Sequence, residues 1–146
     1  MDEASAWVQK AAITELMTRY LALNDAGDWE ALAGLFTEDA RMNRPTAPDV
    51  FIEGRSAILA GFRARPPRVT RHIAANVLVT LRGHERASAS SQILLFTGQA
   101  SSVRDGLPVQ SAAPPLVGTY HDLLVHTPDG WRFAERRGRL DFAAPA

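Results

Sequence analysis

The chain has 146 residues, with 16 basic and 16 acidic side chains and therefore no formal net charge. That length suits one domain with a real core, and the balanced charge argues against nucleic acid as the main partner, because phosphate binding needs a clear excess of Lys and Arg. Cysteine is absent, which excludes disulfides, thiolate metal sites and thiol nucleophiles.

No apolar run approaches the roughly 18 residues of a membrane span, and the acidic start MDEASAW is unlike a signal peptide. The expectation is a cytoplasmic protein with no membrane contact. Lys10 is the sole lysine, and this arginine bias is assigned no function.

From Ala4 to Leu23 apolar residues recur at helical spacing, namely Ile13, Leu16, Met17, Tyr20 and Leu23. Asn24 projects near the centre of that face and Asp25 falls on its edge beside Leu21. Gly27 is a natural helix stop. Asp28 is placed to cap a second helix carrying Trp29, Leu32, Leu35 and Phe36. A strand is expected around Ala40 to Asn43, a loop at PTAPD, and a third helix capped by Ser56 with Ile58, Leu59 and Phe62 on one side. RPP ends it.

After Pro67 the period changes to two. NVLVTL, ASASSQILLF, LVGTYHDLLVH and WRFAERRGRLDF alternate as strands, and TPDG joins the last two as a hairpin turn. Helices first and at least four antiparallel strands afterwards make an α+β domain, with helices covering one face of a curved sheet. The segment Gly98 to Leu116 is rich in Gly, Ser, Ala and Pro. It is expected to be mobile or to lie over a pocket mouth.

Four polar residues stand where the pattern expects apolar ones: Asp25, His72, His121 and Arg137. His121 shares a strand face with Val117, Leu123 and Val125, and Arg137 with Trp131, Phe133 and Glu135. Each has a plainer explanation: a capping carboxylate, a strand-start histidine, a satisfied edge histidine and a solvated charge. The histidines at 72, 84, 121 and 126 form no i, i+4 pair, so no metal site is expected. There is no Gly-rich phosphate loop and no nucleophile elbow.

The order YLALNDAGDWEALAGLFTEDA, IEGRSAILAGF, TRHIAANVLV, GTYHDLL and DGWRFAERR resembles the SnoaL-like branch of the nuclear transport factor 2-like superfamily, across about residues 8 to 142. The resemblance implies one SnoaL-like domain over residues 1–146. Its fold is a cone-shaped curved antiparallel sheet enclosing a pocket, with three N-terminal helices, a cystatin-like α+β barrel. Scytalone dehydratase- and hexachlorocyclohexane dehydrochlorinase-type members use an Asp–His pair, and their positions match Asp25 and His72. Asn24 stands where the dehydratase has a tyrosine, and Tyr20 is the nearest tyrosine upstream. His121 falls at a pocket asparagine, and Arg137 is the counterpart of an arginine that assists the leaving group.

The expectation is therefore a cofactor-independent lyase or isomerase acting on a small, largely apolar ring compound. His72 abstracts the proton, Asp25 orients it, and Tyr20, Asn24, His121 and Arg137 bind or polarise the substrate. Two rivals share the fold. One is a non-catalytic binding or assembly module resembling the small β subunit of ring-hydroxylating dioxygenases, with an oxygenase large subunit as partner. The other is a polyketide cyclase-like enzyme. Apolar residues on the outer sheet face, such as Leu94 and Phe96, lead to the expectation of a homodimer through that face.

Overall fold

A computed structural model describes residues 1–142. The first helix, α1, runs Glu3–Ala26 and is capped by Asp2, whose carboxylate accepts the Ser5 N–H at 2.7 Å. It stops at Gly27, which adopts φ 71°, a left-handed conformation that glycine takes without a Cβ penalty. Asp28 caps α2, Trp29–Ala33, through the Ala31 N–H. The remaining elements are β1 Phe36–Arg44, β2 Ala47–Glu53, α3 Arg55–Arg63, β3 Val69–Arg82, β4 Arg86–Gly98, β5 Leu116–Thr127 and β6 Gly130–Leu140.

The strands make one curved, unclosed six-stranded sheet in the order β2-β1-β6-β5-β4-β3. The expected α+β cone is what forms. Ile13, Met17, Tyr20 and Leu21 of α1, with Ile58 and Phe62 of α3, pack into the concave face against Phe36, Met42, Leu124 and Phe133. Trp29 stacks on Phe62 with ring centroids 5.3 Å apart. These rings and aliphatic chains close one end of the cone.

Several local expectations need correction. The sheet is not wholly antiparallel, since β1 runs parallel to β6. Part of the expected PTAPD loop is β2, an edge strand, the place in a sheet where proline is tolerated. The second helix ends at Ala33, so Leu35 and Phe36 leave it, and Phe36 opens β1 instead. The cap of α3 is Gly54, not Ser56. Strand β3 begins at Val69, which places His72 inside a strand rather than before one.

From Gly98 to Leu116 the chain is irregular apart from one 3-10 turn at Ala100–Ser102. It folds back on itself through a bridge between Gly98 and Ser111.

Candidate active site

The last turn of α1 delivers Asn24 and Asp25 to the concave face of β3. On that strand Thr70 and His72 are two residues apart and so point the same way. The Asp25 carboxylate gathers three contacts there. Oδ1 accepts the Thr70 hydroxyl at 2.9 Å and lies 2.5 Å from His72 Nδ1, and Oδ2 accepts the His72 backbone N–H at 2.9 Å. One carboxylate thus grips both the ring and the backbone of His72. The side chains of His72 and Asp25 are only 5% and 10% exposed.

An ionised carboxylate can only accept, so Nδ1 carries the proton in the neutral ring and the Nε2 lone pair is left free. Burial lowers the His72 pKa from its ordinary 6.5. Asp25 pulls it up through the hydrogen bond and its charge, and Arg68 and Arg65 push it down. The net shift is downward, so the ring is neutral near pH 7 and able to take a proton.

His72 opens onto a cavity of about 420 Å³, a size typical of small-molecule sites. Its apolar wall is formed by Ile93, Leu95, Leu116, Tyr120 and Leu140. Asn24, 6% exposed, lines the cavity beside the dyad. Arg44, Arg65 and Arg68 line the same cavity.

The other expected site residues lie elsewhere. Tyr20 is core. Its ring meets Phe36, Phe62, Tyr120 and Phe133 edge-on with centroids 5.8–6.3 Å apart, and it is absent from the cavity wall. It stands one helical turn above Asn24, too deep beneath the aromatic cluster to reach the space. Burial pushes its hydroxyl pKa up.

His121 is exposed on the convex face of the sheet, because Gly118, Tyr120, Asp122 and Leu124 are the inward residues of β5. The more apolar-looking face of that strand is the outer one. Arg137 is also outside, for a different reason. Glu135 pairs with Leu123 and Phe133 with Leu124, so Ala134 is an extra residue in β6. This bulge reverses the alternation, sending Trp131 and Phe133 inward but Glu135 and Arg137 outward. His121 and Arg137 meet across strands over a separate hollow on the convex face, with Leu78, Ser90 and Leu123.

The same bulge turns Arg136 inward. Arg136 and Asp122 are both fully buried, with Nε 3.3 Å from Oδ1. Three rings surround the guanidinium, with centroids 4.2 Å away for Tyr20, 4.0 Å for Tyr120 and 4.5 Å for Phe133. Burial pushes the Asp122 carboxyl up to about 6, against the pull of Arg136.

Sequence reasoning missed Thr70, Tyr120 and the arginines of the cavity. For Arg65 and Arg68 the signal is the charged run RARPPR from the end of α3 to β3, in which RPP reads as a helix stop. Among the described residues, no group of three or more His, Asp or Glu side chains is placed to hold a metal ion.

The fold has parallels among solved structures. An NTF2-like protein with a cystatin-like fold from Novosphingobium aromaticivorans is 25% identical, with a TM-score of 0.78 over 97% of this chain and 87% of that one. A candidate scytalone dehydratase from the same organism is 24% identical, with a TM-score of 0.75 over 99% and 95% of the two chains. A hexachlorocyclohexane dehydrochlorinase is 16% identical, with a TM-score of 0.79 over 99% and 93%. The last two likenesses are of fold alone. No curated protein matches the sequence. The SnoaL-like domain family matches residues 7–137, and the chain belongs to that family.

Proposed function

We propose that the protein is a cofactor-independent lyase or isomerase that removes a proton from a small ring compound held in the cavity. The observation that carries this reading is the grip of Asp25 on His72, which leaves Nε2 free at the wall of the cavity. In the step, Nε2 takes a proton from a carbon next to a carbonyl or a leaving group. The C–H electron pair becomes part of a new C=C bond. In an isomerisation the carbonyl oxygen takes up the displaced charge, and in an elimination the leaving group departs with its electron pair. Asp25 offsets the positive charge that the imidazole acquires. Asn24 is the neutral polar group placed to bind the substrate beside the dyad.

The test is proton exchange and elimination in D2O, followed by NMR, on ring ketones, β-hydroxy ring ketones and halogenated cycloalkanes. The wild type should turn over at least one class. His72→Gln should abolish the reaction. Asp25→Asn should lower it by up to about 10⁴-fold, by analogy with the loss of a triad carboxylate. Turnover that survives His72→Gln refutes the dyad reading. The absence of turnover with every class favours the non-catalytic module instead.

We also propose a homodimer through the convex sheet face. The helices cover only the concave side, and Leu78, Leu123, Ile73 and Phe96 are exposed on the other.

A further inference from the structure

The cavity has an unequal charge distribution that the dyad does not explain. The protein as a whole is electrically balanced, yet Arg44, Arg65 and Arg68 line this one space and no Asp or Glu does. Two carboxylates stand behind lining residues: Asp25 is occupied by Thr70 and His72, and Asp141 accepts the Thr119 hydroxyl. None of the three arginines forms a salt bridge among the described residues. Arg44 donates one Nη to the Gly61 carbonyl at 2.7 Å, while its buried Nε has no partner. Arg65 lies over the Phe62 ring, 4.1 Å from the centroid, so one flat side is covered. The Arg65 pKa is lowered to about 10, first by burial and further by repulsion from Arg44 and Arg68.

Arg44 and Arg65 are half-buried and Arg68 stands exposed at the edge. A part-buried cation without a counter-ion is costly, and the repulsion of Arg65 by Arg44 and Arg68 adds to that cost. A bound anion removes that cost. The guanidinium fork matches a carboxylate well, through charge-assisted and often bidentate hydrogen bonds. Ile93, Leu95, Leu116 and Leu140 of the same lining carry no charge and suit an apolar ring.

We infer that the ligand of this cavity is an organic carboxylate: an apolar ring body against Ile93, Leu95, Leu116 and Leu140, with its carboxylate held by Arg44, Arg65 and Arg68. This deepens the proposed function by naming the substrate class, and it rests on the same cavity being the reaction site. The carboxylate binds the cationic side, and the ring carbon to be deprotonated lies towards His72. Charge on the ligand and charge on the protein are then complementary. A neutral ring compound of the same shape leaves the arginines unpaired.

The experiment is titration calorimetry of the full chain with 2-naphthoate and with 2-naphthamide, which share a shape and differ in charge. At low salt the carboxylate should bind about tenfold or more tightly, as expected for charge-assisted hydrogen bonds. Its affinity should fall as salt rises, while that of the amide changes little. Acetate, which has the head group without the ring, should bind about a hundredfold or more weakly than 2-naphthoate, because the apolar wall is then unused. The double variant Arg65→Gln/Arg68→Gln, checked for folding by its thermal melt, keeps only Arg44 and should lose most of the preference for carboxylate over amide. If that variant does not fold, the wild-type preference and its salt dependence decide the matter.

Equal affinity for carboxylate and amide in the wild type, or no binding of either, overturns the inference. His72→Gln should keep the carboxylate preference. Turnover lost from the wild type with the preference intact therefore counts against the proposed function alone. Turnover present without the preference counts against the carboxylate alone.

Discussion

Replacing Asp122 by Asn separates two accounts of the buried Asp122–Arg136 pair. The carboxylate and the guanidinium are fully buried, and no polar atom of the Arg136 guanidinium or the Asp122 carboxylate has a hydrogen-bond partner with good geometry. The Asp122 carboxyl is raised from 3.8 to about 6, which at about 1.4 kcal/mol per unit is about 3 kcal/mol. A carboxyl raised on folding gives a stability contribution that is fully present below about pH 4 and lost as the pH rises through about 6. Asn mimics the protonated form, and the three rings around Arg136 remain to stabilise the cation. Urea unfolding of both proteins from about pH 3.5 to pH 8 should therefore show near-equal stability at the acid end. At pH 8 Asp122→Asn should be more stable by about 3 kcal/mol. His72 titrates in both proteins, so its effect cancels in the difference. A loss of about 3–5 kcal/mol at pH 8, the usual result of breaking a buried ion pair, would refute this reasoning. The outcome matters at the cavity, since Tyr120 lines it and rests on Arg136.

Three further outcomes are expected. A Cβ at Gly138 would lie 2.7 Å from Pro45 Cγ and 2.8 Å from Tyr120 Cε1, so Gly138→Ala should cost about 1–3 kcal/mol, read as a lower Tm; an unchanged Tm contradicts the packing. Because burial holds the His72 pKa below 6.5, the rate with any active substrate should rise with pH and level off before neutrality. A midpoint above 6.5 in kcat/KM is inconsistent with the buried dyad. Leu78, 71% exposed on the convex face, should sit in the proposed dimer interface. Leu78→Arg should then give a monomer by light scattering, and a wild type already monomeric at micromolar concentration removes the proposal.

The features legible in the sequence were those set by neighbours in the chain. Gly27 stops α1 and Asp28 caps α2 because a left-handed turn and a side-chain cap act over a few residues. The change from helical to twofold period after Pro67 is likewise local, and with the motif resemblance it was enough for the fold class. Asp25 and His72 were picked out by that resemblance, but the three contacts of the carboxylate span 45 and 47 residues and exist only in the folded chain.

Tertiary structure alone decided which face of each strand points inward. Alternation divides β5 into two faces but does not say which meets the helices, so His121 was placed inside when it is outside. One bulge residue, Ala134, reverses the alternation in β6 and exchanges Arg137 for Arg136. The parallel pairing of β1 with β6 joins the first strand to the last, and no local pattern encodes such a partner. The cationic wall has the same origin: Arg44 ends β1, while Arg65 and Arg68 lie between α3 and β3. Spread along the sequence they are three ordinary charges. Folding places them around one cavity, where the burial of Arg65 and its repulsion by Arg44 and Arg68 favour an anion.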